Sequence, residues 1–414
     1  MLLVPSTPAP YDRRMMADFA AGFVALGHPS LALERPLADA ELVRICADFR
    51  ADAVLRVNCL PPAAPPLPAS IRYIGWFQDV FVHTARGPSH TLRQSDVIYA
   101  LGQGVSSALG ELPCRRGFLY SGVNPDDIGP IGSAAEQALD FSLCGFIPRP
   151  LSRRNWWRQV AISLGNRVLD VLLPPCFDIP FPVPSPLRED LIEDVERNYR
   201  PLCGLLDIHA LASSLEKLSS RYVESGGPFF APRMGRWRRR SRLDAYINFL
   251  ARDYPRYLER ELMLRKALEV STSLEVHGPL AQGLADHAWL RPYLRPPIAD
   301  RAGIIALYRR TRLNLANNTD GLGLHSRTLE CMAAGGFIFM HHSSRDEEPG
   351  GMLTAFEPGV HYGRYLPDAF EEEARRWLCD TPRRLAVGRR AAELVRTQHT
   401  WVKRAEQVLG DLRQ

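Results

Sequence analysis

Arg327 and Glu330 stand three residues apart in Gly321-Leu322-Gly323-Leu324-His325-Ser326-Arg327-Thr328-Leu329-Glu330, a stretch closed by Gly335 and Gly336. Three residues is one helical turn, so on a helix the guanidinium and the carboxylate lie side by side. Two glycines just before them let a loop pass close to a ligand, and the helix amino terminus behind that loop favours an anion. A nucleotide diphosphate fits such a place. The same two side chains also suit a surface ion pair on an ordinary strand-helix unit, and these residues alone leave both readings open.

The elements that would position them follow from the wording around them. Leu313 to Ala316 is a short β-prone run, and Phe337-Ile338-Phe339-Met340 is the continuous apolar run of a parallel strand buried on both faces. Ser326 caps the helix between them, and Gly335 ends it with a left-handed turn. Leu329, Met332, Ala333 and Gly336 form one helix face, with Arg327, Glu330, Cys331 and Ala334 on the other. Loop and helix amino terminus then open at the strand's carboxyl end, where parallel sheets bind ligands.

Earlier in the chain, strands are expected at Leu2 to Val4, Leu31 to Leu33, Ala53 to Val57, Tyr73 to Phe77, Val97 to Leu101 and Phe118 to Tyr120. Helical patterns at Tyr11 to Leu26 and Asp39 to Phe49 alternate with them, which points to a parallel, Rossmann-like sheet. Asp79 and His83 follow directly on the strand ending at Phe77. That places both at its carboxyl end, within reach of an acceptor hydroxyl as a general base. A helix cap for Asp79 and a surface position for His83 are the competing readings.

At 414 residues the chain exceeds what one core supports, so two domains are expected. Hydrophobic content of 46% with 23% charged residues is that of a soluble globular protein. Fifty-one basic against 46 acidic residues leave a charge of +5, with much of the excess in the run Arg233 to Arg242. That balance suits an anionic small ligand and does not call for nucleic acid. The run itself reads either as a solvated face or the start of a helix, or as a surface for an anionic acceptor, a membrane or a nucleic acid. Eight cysteines without a Cys-x-x-Cys pair read as reduced thiols rather than zinc ligands. No stretch reaches the roughly 18 apolar residues of a bilayer span, and the amino terminus lacks a leader pattern, so a cytoplasmic location is expected.

The phrase Tyr308-x-x-Thr311-x-Leu313-Asn314, followed by Arg327-Thr328-Leu329-Glu330 and Ala333-x-Gly335-Gly336, resembles the donor-site segment of GT-B glycosyltransferases, most closely the CgeB-like, group-1-type transferases. The resemblance is specific over roughly residues 273 to 409 and looser before them. It implies an α/β GT-B fold, two Rossmann-like domains facing a cleft. Their expected bounds are 1–124 for the acceptor domain, 125–139 for a linker and 140–398 for the nucleotide-sugar domain. A helical insertion at about 155–268 and a final helix, 399–414, returning to the first domain complete the plan. Gly145, in the Phe-x-Gly strand that would open the second domain, lets the backbone approach the donor.

Carried over residue by residue, Glu330 would bind the ribose hydroxyls and the loop of Gly321 and Gly323 with Arg327 would face the phosphates, with Asn314, Ser326 and Thr328 also in the donor site. Asp79 is favoured over His83 as the base. The implied reaction moves a sugar from a nucleotide-sugar donor to an unidentified acceptor, be it protein, glycan or small molecule. No metal or other cofactor is expected, since positive charge and the helix terminus would stabilise the leaving diphosphate. One position departs: where related retaining families place a first glutamate, this chain has Leu322, with Asp320 out of register. A catalytically decayed binding protein and a nucleotide-sugar epimerase of the same fold are the alternatives.

Overall fold

A computed structural model of the chain describes residues 1–78, 91–109, 111–145, 254–278, 288–318 and 321–413. Asp79, His83, Asp320, the arginine run at 233–242 and most of the expected insertion lie outside the described residues.

The first half contains β1 (Leu2–Val4), α1 (Pro10–Ala25), β2 (Leu31–Ala32), α2 (Asp39–Asp48), β3 (Ala53–Val57), β4 (Arg72–Phe77), β5 (Val97–Ala100), α3 (Gln103–Ala108) and β6 (Arg115–Phe118). Its six strands form one parallel sheet in the order β2-β1-β3-β4-β5-β6. Every residue of β3 and β5 is buried, as in a central parallel strand, and the one charged side chain among them, Arg56 of β3, pairs with Asp39 at 3.3 Å. α1 starts on Pro10, whose missing amide hydrogen costs nothing at a first helical position, and buries Met15, Met16, Phe19 and Phe23.

The last strand of this sheet is a correction to the sequence reading. It is Arg115–Phe118, not Phe118 to Tyr120. As an edge strand it tolerates two arginines, whereas the apolar Leu119 belongs to the exit segment. There it is buried, and its carbonyl accepts from the Trp76 indole at 2.9 Å.

The second half contains α4 (Pro125–Ile128), β7 (Leu139–Cys144), α5 (Tyr254–Val270), β8 (Leu274–His277), β9 (Leu294–Arg295), α6 (Arg301–Arg310), β10 (Thr311–Ala316), α7 (Ser326–Ala333), β11 (Ile338–His341), β12 (Gly363–Tyr365), α8 (Phe370–Cys379), α9 (Thr381–Gln398) and α10 (Trp401–Leu412). These strands form a second parallel sheet, β12-β11-β10-β7-β8-β9. Met263, Leu264 and Ala267 of α5 are buried against Phe141 and Leu143 of β7 and Val276 of β8. Residues 254–268 therefore lie on a helix of this sheet's own core.

The chain crosses between the halves twice, and the two crossings are tied together. The amide of Val123 donates to the carbonyl of His399 at 2.9 Å, and that of Trp401 to the carbonyl of Val123 at 3.1 Å. Capped by Thr400, α10 then lies on α1, and Trp401, Ala405 and Val408 join Phe19 and Trp76 in the first half's core. Among the described residues no helix is long and apolar enough to cross a membrane, and none of the six cysteines is bonded to another.

Candidate functional site

Between the two sheets lies a cleft. Gln78 and Leu101, which follow β4 and β5, line one wall, and Cys144 and the segment Ala316 to Asn318, at the ends of β7 and β10, line the other. The carboxyl ends of central strands from both sheets thus face the same space, the place where parallel sheets present ligands.

Two guanidinium groups meet at the end of β7. The Nη1 of Arg327 donates to the carbonyl of Cys144 at 2.9 Å, and the Nε of Arg260 donates to the Oδ1 of Asn317 at 2.9 Å. A methyl group placed on Gly145 would come within 2.5 Å of Arg327 Nη1 and 3.9 Å of Arg260 Cζ, so both side chains converge on this glycine. Arg327 has no carboxylate partner among the described residues. Arg260 is almost fully buried yet lines the cleft. A partly dehydrated pair of guanidiniums is a strong binder of a phosphate-type anion.

Of the residues singled out from sequence, Asn314, Arg327 and Thr328 line the cleft, and Gly145 stands beside Arg327. Asn314 is committed to the fold. Its Oδ1 accepts from Ser142 Oγ at 3.0 Å, and its Nδ2 donates to the carbonyl of Tyr308 at 3.1 Å. The two loop glycines are required by the protein itself: a methyl at Gly321 would meet Arg345 Cβ at 2.4 Å, and one at Gly323 would meet Met352 Cγ at 2.2 Å. Leu322 between them enters the cleft and packs against the first sheet's core. The capping residue of α7 is His325 rather than Ser326, its ring nitrogen accepting from the amide of Arg327 at 3.3 Å.

Ser326 instead meets the first half of the chain. Tyr11 of α1 donates its hydroxyl to Ser326 Oγ at 2.5 Å, and burial, partly offset by that bond, pushes the phenol up to about 12. One and two turns further along α1, Arg14 and Asp18 continue the contact. Arg301 at the start of α6 pairs with Asp18, with Asp127 at 2.7 Å and with Glu330 at 3.3 Å, while Arg14 stands 4.0 Å from Glu330. Glu330 is therefore buried rather than part of a surface ion pair, and burial raises its pKa against the pull of Arg14 and Arg301. Both cations lie against Oε1; among the described residues no donor reaches Oε2.

Arg260, Tyr11, His325 and Asn317 were not picked out from the sequence. Arg260 and Asn317 are 57 residues apart and meet only through the fold. The one visible signal was on α1, where Tyr11, Arg14 and Asp18 fall three and four residues apart, a polar stripe on a helix whose other face is core.

Residues 256–410 match the family described as Glycosyl transferase-like. No curated protein matches the chain. Solved structures similar over the whole chain include AviGT4, a glycosyltransferase involved in avilamycin A biosynthesis, at 12% identity, with 96% of that protein covered and a TM-score of 0.50. The Anabaena protein Alr3699/HepE in complex with UDP-glucose is similar at 10% identity, 98% coverage and a TM-score of 0.50. An alpha-glucosyltransferase in complex with UDP and a 13-mer DNA is similar at 9% identity, 98% coverage and a TM-score of 0.51. The fold is GT-B. The two parallel sheets are the two Rossmann-like units of GT-B, and the converging arginines sit on the second unit's side of the cleft.

Proposed function

We propose that the chain is a glycosyltransferase whose nucleotide-sugar donor lies with its diphosphate between Arg260 and Arg327 at the end of β7. The observation that carries this reading is their convergence on Gly145 in the GT-B cleft, with Arg327 free of any described carboxylate. The Glycosyl transferase-like match over the segment that supplies these residues supports it, as do the UDP and UDP-glucose held by two of the similar structures.

In this reading the arginines bind the diphosphate in the ground state and stabilise the charge that grows on it as the glycosidic bond breaks, the role a divalent cation plays elsewhere. We read the reaction as independent of a metal for that reason. Glu330 keeps Oε2 for the ribose hydroxyls while Arg14 and Arg301 hold Oε1. The base for the acceptor hydroxyl is assigned to Asp79 or His83, which follow Gln78, itself part of the cleft wall.

Leu322 favours a second reading, a protein that binds nucleotide sugar without transferring it, since an apolar side chain stands where related retaining families place a glutamate. Incubation with a panel of nucleotide sugars, with free nucleoside diphosphate as the readout, separates the two. Release above the uncatalysed rate supports transfer; binding without release supports the second reading. If no nucleotide or nucleotide sugar raises the melting temperature, both readings fail.

A further inference from the structure

Beneath the donor loop, the buried side chain of His341, at the end of β11, is shared between two partners that it cannot serve together. Its Nε2 lies 2.9 Å from the amide nitrogen of Asn318, which points its hydrogen at the ring, and 3.1 Å from Oε2 of Glu259 on α5. Its Nδ1 lies 3.0 Å from the carbonyl of His342, a contact that only a proton on Nδ1 can make. With that nitrogen protonated, the ring's one lone pair is on Nε2. Neutral His341 accepts from the Asn318 amide there and faces a carboxylate without a proton between them. The imidazolium donates to Glu259 instead and can accept nothing, so the Asn318 amide loses its partner. Both His341 and Glu259 are fully buried, so neither contact is replaced by bulk water.

Asn318 is one of the residues that line the cleft, and it leads into the Gly321-Leu322-Gly323 loop. Its own side chain donates to Asp346 Oδ1 at 2.5 Å, and its neighbour Asn317 takes the Arg260 guanidinium. We infer that His341 is a positioning residue for the donor loop, a buried ring whose proton sets whether the Asn318 backbone is tethered or released. The consequence for ligand binding rests on the donor reading of the cleft; the tether itself does not.

Among the described residues, four ionisable side chains face the ring or its partners. Glu259 comes from α5, Asp346 and His342 from the turn after β11, and Tyr365 from β12, its ring edge-on to the imidazole. Burial pulls the pKa of His341 down, and the charge and hydrogen bond of Glu259, helped by Asp346, outweigh it, so the net direction is up from 6.5. The sign follows. Below the folded-state pKa the imidazolium pairs with Glu259 and that stabilisation is present; as pH rises through it, the pairing is lost and the amide tether forms.

The test uses the whole chain labelled with 15N-asparagine, without nucleotide. The Asn318 amide and the His341 Cε1 proton are expected to titrate together at one pH above 6.5, and Glu259→Gln is expected to move that inflection to lower pH. An Asn318 amide that does not titrate with His341 in the parent overturns the proposal, whether or not the variant folds. An inflection at the same pH in a folded Glu259→Gln also overturns it. Uridine diphosphate is then titrated on either side of the inflection, with affinity expected to rise about threefold to tenfold on the tethered side, the worth of one hydrogen bond. An unchanged affinity removes the positioning role. A parent that shows the joint titration but binds no uridine diphosphate at any pH counts against the donor reading alone.

Discussion

Arg301 meets Asp18, Asp127 and Glu330, and among the described residues only Arg14 adds a second cation to the group. The directions of their pKa shifts reflect that ratio. Arg301 is raised because its carboxylates outweigh the cost of burial, whereas Asp18 and Glu330 are raised chiefly by burial, helped by the charge of Asp127 on Asp18 and of Asp18 on Glu330, against the pull of Arg301 and Arg14. A carboxylate here is thus less valuable than the guanidinium that joins them. Arg301→Ala, which leaves buried charges unpaired, is expected to cost about 3 kcal/mol or more in urea unfolding, and Asp18→Asn under about 1 kcal/mol. Equal losses would contradict the shared-cation account. The sequence showed Arg327 and Glu330 as neighbours because helical spacing is local. It could not show Glu330 buried, since Arg14 and Arg301 reach it only once α1 and α6 are packed against α7.

The loop between β10 and α7 is held by the chain more than by its glycines' freedom. Gly323 exists because Met352, fully buried, occupies the place of its side chain, so Gly323→Ala is expected to cost roughly 1 to 3 kcal/mol by overpacking. Gly104 in α3 is the control: a methyl there meets only the far end of Arg345 at 3.2 Å, and Gly104→Ala is expected to be neutral or stabilising by up to about 1 kcal/mol. Thermal melts of the two variants check this, and a Gly323→Ala protein as stable as the parent would show that the loop is loosely held. The pattern of glycines was legible as a loop, yet its reason was not, because Met352 lies 29 residues on. The misplaced final strand of the first sheet has a similar cause. Apolar wording marked the buried crossing at Leu119, while the edge strand itself carries Arg115 and Arg116.

At the scale of the molecule, the two parallel sheets were legible from their largely apolar strands and from the family resemblance, which also implied the closing helix, whereas its Thr400 cap was not read in the sequence. That helix completes a core it does not belong to in sequence. Trp401 lies against Phe19 and Trp76 with ring centroids 5.0 and 6.1 Å away, so Trp401→Ala is expected to cost about 3 to 5 kcal/mol, read by chemical unfolding. A loss under about 1 kcal/mol would show that α10 is dispensable to the first domain. The cleft between the domains was legible only on one side. Arg327 stood in a recognisable phrase, whereas Arg260 sits on a helix whose wording carries no mark of its partner across the sheet. The central claim, that these two guanidiniums hold a donor diphosphate, is tested most directly by calorimetric titration of uridine diphosphate into the parent, Arg327→Ala and Arg260→Ala. Each charge-assisted hydrogen bond is worth about 1.5 to 3 kcal/mol, so each variant is expected to bind about tenfold to a hundredfold more weakly while remaining folded. Parent-like affinity in a folded Arg327→Ala protein would contradict the account.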